Sequence, residues 1–266
     1  MKTIAVIGAG ALAHVFCSHF KEALGEDARI SGVFSRTAQK ASELAASCGA
    51  KPYETLEALI ADKPDFAVEF AGVAALKAHA VPVLRSGISL IAVSAGALAD
   101  DAFRAEALKA AREGNSRLVI PSGAIGALDL LQAYSLIGGA ELEFESRKAP
   151  KSLNGAAGLG GRLLSETEEE IAFSGSIPEA IKGFPKNVNV AVAAAAASGA
   201  KNAHMTLRSV PGAKETTHAF RIRNSFMHAE VTISASPDPE NPRSSTSTAW
   251  SVLALLRNLT SPLAFY

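Results

Sequence analysis

One glycine pattern near the start constrains this chain more than any other feature. Gly8, Gly10 and Ala13 read G-x-G-x-x-A, directly after the β-branched run TIAVIG and at the head of GALAHVFCSHFKEAL, where apolar residues recur at helical spacing. Each position has a physical task. Gly8 permits a tight turn, Gly10 lets the backbone approach a bulky anion, and the small Ala13 lets helix and strand pack closely. The amides around Ala11 and Leu12, at the positive end of the helix, then face that anion. In isolation this would be a plain Gly-rich turn; inside a complete strand–turn–helix unit it marks a dinucleotide pyrophosphate site.

The alternation continues. RISGVFSR, DFAVEFAG, ISLIAVSAGAL and SRLVIPSG read as strands, and TAQKASELAASCG, VAALKAHAVPVLRSG and DDAFRAEALKAAREG as the helices between them. Strands alternating with helices of this length require right-handed crossovers and a parallel sheet. The expectation is an α/β chain with a Rossmann-type, doubly wound parallel sheet over residues 1–122. After Gly126 the period changes: ALDLLQAYSLIG is helical, whereas ELEFESRKAP, EEEIAFSGS, HMTLRSV, HAFRIRNS and MHAEVTISASP alternate apolar and polar residues as half-exposed strands do. A second α+β domain with an open, mostly antiparallel sheet is expected over 123–240, with an Ala-rich helix starting near Asn187. The terminal amphipathic helix, about 244–258, is expected to pack back on the nucleotide domain by analogy with two-domain dehydrogenases. A length of 266 residues suits two domains.

Several partners are excluded or disfavoured. Lys plus Arg equals Asp plus Glu at 26 each, so no global positive field gathers nucleic acid or anionic lipid. No apolar run approaches the length of a membrane span, and no leader-like segment opens the chain, so a cytoplasmic protein is expected. Cys17 and Cys48 lack a CxxC or His/Cys cluster, which argues against a metal. At the end of the second strand, Ser35 and Arg36 stand where an NAD-selective protein usually carries a carboxylate for the ribose 2′-hydroxyl; they suit a 2′-phosphate, so NADP is expected to be accepted alongside NAD, unless Arg36 is a solvated loop residue. Ala71 and Gly72, after the third strand, leave room for the dinucleotide. Ser94, after the next, either donates to a ligand or caps the following helix.

Four strings go beyond the dinucleotide fold: VSAGALAD at 93–100, PSGAIGALD at 121–129, RKAPKSL at 147–153 and FPKNVNVA at 184–191. With these the chain resembles the L-aspartate dehydrogenase family from Gly8 to the final helix. The resemblance implies an NAD(P)-binding domain, a second domain on an open sheet that pairs subunits as a homodimer, and oxidation of aspartate to iminoaspartate, whose product can feed pyridine nucleotide (NAD) biosynthesis. It implies cofactor contacts at Ala124 and Asn189; on the residues alone, Gly123–Ala124 reads rather as a domain-crossing turn and Asn187 as an N-cap. It also implies a catalytic histidine shortly before a strand, at His218. Of the six histidines, His14, His19 and His79 lie on nucleotide-domain helices, and His204 and His228 read as ordinary strand residues. One side chain titrating near neutrality can deprotonate an amine and activate the water that hydrolyses the imine. An acidic, aspartate-like substrate also needs cations: Lys148 ranks first, ahead of Arg147 and Lys151, any of which can instead be a solvated basic loop, and Asn187, in the separate string FPKNVNVA, is a further expected substrate contact.

Three departures stand against the family pattern. VPGAKETTH at 210–218 lacks the usual Asp-Pro and Asn, NPRSSTSTA at 241–249 replaces an NPKTS-like string, and Ala127 stands where a glycine is typical. Two other functions therefore remain open: reduction of a related imine, semialdehyde or other small carbonyl, and dinucleotide sensing without turnover.

Overall fold

The computed structural model describes residues 1–185, 187–236 and 247–265. The chain divides into two compact units, Met1–Gly123 with Thr246–Tyr266, and Ala124–Ser245. In the first, chain order is β1 (Lys2–Ile7), α1 (Ala11–Leu24), β2 (Ala28–Phe34), α2 (Ala38–Ser47), β3 (Lys51–Tyr53), α3 (Leu56–Ala61), β4 (Phe66–Glu69), α4 (Val73–Arg85), β5 (Ser89–Ala92), α5 (Asp101–Glu113) and β6 (Leu118–Val119). These strands form one parallel sheet in the order β3-β2-β1-β4-β5-β6. The order reverses direction between β1 and β4, and in such sheets ligands bind at that switch, beyond the carboxyl ends of the strands.

Local signals explain most boundaries. Thr55 and Asp100 accept from the amides of Ala58 and Phe103 to cap α3 and α5. β5 is shorter than the apolar run around it, because the small residues of Ala95–Ala99 tighten into a 3-10 turn that the period alone reads as strand. β3 and α3 are too short to show a period. The last helix, numbered α9 in chain order (Ser247–Thr260), belongs to the first unit: Ala249, Val252, Leu253 and Leu256 join Phe16, Phe20 and Leu24 of α1 in one buried cluster. Residues 241–246, which hold most of one departure from the family pattern, lie outside the described residues.

The second unit contains α6 (Leu128–Ile137), β7 (Glu141–Lys148), β8 (Glu170–Ser176), α7 (Ile177–Gly183), α8 (Asn189–Ser198), β9 (Ala203–Ser209), β10 (Thr216–Arg223) and β11 (His228–Ala235). Its strands lie in the order β11-β10-β7-β9-β8, antiparallel except for the parallel pair β7 and β9. α7 starts with a capping box in which Ser176 and Glu179 satisfy each other's backbone amides, followed by Pro178 in the first turn.

Candidate active site

In the first unit the motif residues sit at the sheet edge that faces ligands. Gly8 has φ +108, and a Cβ there would lie 2.9 Å from the Phe70 carbonyl carbon, so both its conformation and its packing demand glycine. Gly10 precedes the first turn of α1 with nothing within 4 Å of the side chain it lacks, while Ala13 is wholly buried. Open space in front of the helix amides fits a pyrophosphate. Ser35 is half-buried and Arg36 exposed at the end of β2, the Ser35 hydroxyl accepting from the Thr37 amide at 3.4 Å. Gly72, φ +99, begins α4.

The buried carboxylate of Glu69 ties this edge together. Its Oε1 accepts from the amides of Ala71 at 2.6 Å and Gly72 at 2.7 Å and from the Ser94 hydroxyl at 3.0 Å, and its Oε2 accepts from the Ser94 amide at 3.1 Å. Burial pushes its pKa up, against the pull of those donors. The Ser94 hydroxyl therefore serves Glu69, and it does not cap the turn that follows.

The second unit gathers polar side chains at one end of an apolar sheet face. Register places Phe144 beside Met205 and Phe220, Ser146 beside Leu207 and His218, and Lys148 beside Ser209. Strand side chains alternate between faces, so Leu142, Phe144, Ser146 and Lys148 share a face with Met205, Leu207 and Ser209 and with His218, Phe220 and Ile222. The face is apolar up to Phe144 and becomes polar at Ser146. There the Ser146 hydroxyl lies 2.7 Å from His218 Nδ1, both side chains buried, and the Phe144 ring lies 5.9 Å from the imidazole. Lys148 Nζ donates to Asn187 Oδ1 at 3.0 Å, and among the described residues it has no carboxylate partner. Ser209 Oγ is buried with no hydrogen-bond partner among the described residues.

Burial brings the Lys148 ammonium down to about 8. Burial, and next the charge of Lys148, hold His218 at about 3, so the imidazole is neutral at physiological pH. That lies well below the near-neutral titration expected from the sequence, because dehydration and a neighbouring cation both oppose its charging. Arg147 points to the opposite face and is paired with Glu145 and Glu169. Among the described residues no group of three or more His, Cys, Asp or Glu is placed to hold a metal, and no helix is long and apolar enough to cross a membrane.

Comparison with known proteins agrees with both halves. Residues 129–259 match the model described as aspartate dehydrogenase, C-terminal, and residues 8–121 match that of the homoserine dehydrogenase NAD binding domain. An L-aspartate dehydrogenase from Ruegeria pomeroyi is 37% identical over 96% of this chain and 91% of its own length; L-aspartate dehydrogenase 2 of Bordetella bronchiseptica is 35% identical over 96% and 95%. The chain belongs to the L-aspartate dehydrogenase family. The crystal structure of aspartate dehydrogenase from Thermotoga maritima superposes with a TM-score of 0.79 at 25% identity, covering all of both chains. A hyperthermophilic archaeal homoserine dehydrogenase in complex with NADPH shares the fold alone, with a TM-score of 0.62 at 13% identity.

Against this family frame, the structure places His218, Lys148 and Asn187 in the polar cluster just described. His218 lies inside β10, because the strand begins two residues earlier at Thr216, after a turn in which the Ala213 amide donates to the Val210 carbonyl. Asn187 is not an N-cap: Val188 precedes α8, and the Asn187 side chain turns to Lys148. Asn189 opens α8, and Ala124 is buried in a turn between Gly123 and Gly126, both with positive φ. Ala127, at the family's glycine position, is forced to φ +49. Sequence reasoning missed Ser146, Ser209 and the role of Glu69. A serine at an inward strand position is the available signal for the first two, and it is weak.

Proposed function

We propose that this chain oxidises L-aspartate with a nicotinamide dinucleotide to iminoaspartate, which water converts to oxaloacetate and ammonia, and that it also runs the reverse reductive amination. The observation that supports this most is a half-buried ammonium, Lys148, with an amide partner and no carboxylate among the described residues, on the same sheet face as His218. A substrate carboxylate supplies the missing counter-charge, and Asn187 and Ser209 offer further polar contacts to it. That charge also offsets the field of Lys148 on His218, which raises the imidazole toward the range in which it can exchange protons with the amine and with water. When bound, the dinucleotide takes or gives the hydride.

For the cofactor, Gly8, Gly10, Ala11 and Leu12 hold the pyrophosphate, and Ala71 and Gly72 leave space beside it. Ser94 holds that edge in shape through Glu69. Ser35 and Arg36 receive a 2′-phosphate, so NADP is used as well as NAD. Ala124 and Asn189 are the family's contacts to the cofactor. A homodimer in the cytoplasm, contributing to pyridine nucleotide biosynthesis, completes the reading; exposed Leu136, Ile137 and Phe226 of the second unit are apolar surface that a second copy would cover.

The test is initial-rate spectrophotometry of the reduced nicotinamide with L-aspartate at alkaline pH, and with oxaloacetate and ammonia in reverse. Turnover that collapses in His218→Ala, with a raised KM for aspartate in Lys148→Met, is the expected result. A folded protein that binds dinucleotide and turns over neither substrate rejects the aspartate assignment; a screen of small imines and semialdehydes then separates a reductase from a sensor.

A further inference from the structure

A neutral imidazole carries one N–H, and the partner of one ring nitrogen decides which it is. His218 meets a hydroxyl at Nδ1, where most histidines that exchange protons meet a carboxylate or a backbone carbonyl. The difference matters. A carboxylate only accepts, so it locks the proton on Nδ1 and leaves Nε2 as a lone pair; a serine can donate or accept.

Here the hydroxyl has one choice. Ser146 is wholly buried, and its Oγ lies 2.7 Å from His218 Nδ1 with no second partner among the described residues. If Nδ1–H donated to Oγ, the serine proton would be left buried without an acceptor, at a cost of about 1–3 kcal/mol. If the serine donates to Nδ1, the hydroxyl proton and the Nδ1 lone pair are both used and the ring proton sits on Nε2. With Nδ1 occupied by Ser146, Nε2 is the ring nitrogen left for a ligand.

We infer that Ser146 is a positioning residue for His218: it donates to Nδ1, fixes the Nε2–H tautomer, and makes the resting histidine a neutral hydrogen-bond donor toward the substrate. Such a donor suits the oxygen on C2 of an oxo acid or of the carbinolamine that precedes the imine. To take a proton from the amine or from water at Nε2, the ring must first hold its proton on Nδ1, with the Ser146 hydroxyl then accepting. Its catalytic use rests on His218 being the acid/base of the proposed reaction; the tautomer does not.

The experiment uses the full chain with ring-15N-labelled histidine, the His218 signals being assigned by their loss in His218→Gln. Wild type at neutral pH is expected to show a protonated, pyrrole-type Nε2 and a pyridine-type Nδ1, unchanged as pH is lowered well below the ordinary histidine range. A pyrrole-type Nδ1, or a doubly protonated ring at neutral pH, overturns the inference, and the wild-type spectrum alone decides it. Ser146→Ala is expected to lose the Nε2–H preference and about tenfold in kcat, with Ser146→Thr restoring both. A spectrum of Ser146→Ala identical to wild type also overturns it. The spectra require no turnover, so a chain that keeps this tautomer but ignores aspartate refutes only the proposed reaction.

Discussion

Replacing Lys148 by methionine should make this protein more stable and less able to use its substrate. Burial lowers the lysine from 10.5 to about 8. At about 1.4 kcal/mol per pH unit, the buried ammonium costs the folded state about 3 kcal/mol. That is a ceiling, because the side chain keeps some solvent contact that screens the penalty, and the bond to Asn187 returns about 1 kcal/mol. Methionine is unbranched and fills similar space without the charge, so a net gain of about 1–2 kcal/mol is expected at neutral pH. The sign with pH follows from linkage. Above about 8 the folded lysine gives up its proton, while the unfolded one keeps it to 10.5. Between those values wild-type stability rises with pH, and the advantage of methionine disappears. Urea unfolding of both proteins at matched concentration, at neutral pH and near pH 10, measures this directly, provided the m values agree. A methionine variant less stable at neutral pH, or one whose advantage is the same at both, would refute the claim that Lys148 is a strained, uncompensated cation.

Other outcomes follow from the same physics. His218, held at about 3 against an ordinary 6.5, resists protonation when folded; wild-type stability should therefore fall as pH drops below 6.5, and His218→Gln should flatten that limb in acid-range denaturation curves. Ala127→Gly relieves a left-handed backbone at φ +49 and should raise stability by about 1 kcal/mol, read as a higher melting temperature. Gly8→Ala places a Cβ 2.9 Å from the Phe70 carbonyl carbon at φ +108, so a loss on the order of 2–3 kcal/mol with weakened dinucleotide binding is expected by calorimetry. Arg36→Ala should weaken NADP binding by about 1.5–3 kcal/mol and leave NAD binding unchanged, since only the 2′-phosphate distinguishes them.

The nucleotide-binding half was legible because its signals are local. The period of each helix, the β-branched runs and the spacing of Gly8, Gly10 and Ala13 are set by neighbouring residues, and they lead to the observed parallel sheet without knowledge of what lies across it. Short elements escaped for the same reason: β3, α3 and α7 are shorter than the window in which a period exists. In the second unit the alternation of single strands showed a half-buried sheet, yet the parallel pairing of β7 with β9 could not be read from either strand. His218, Lys148 and Asn187 were singled out by likeness to a family. Register brings Ser146 opposite His218 across 72 residues, and the turn before α8 brings Asn187 to Lys148 across 39. Sequence thus determined which segments form strands and helices and which residue types were available for chemistry. Tertiary structure alone decided the lowered titration of Lys148 and His218, because dehydration and proximity are properties of the assembled sheet face.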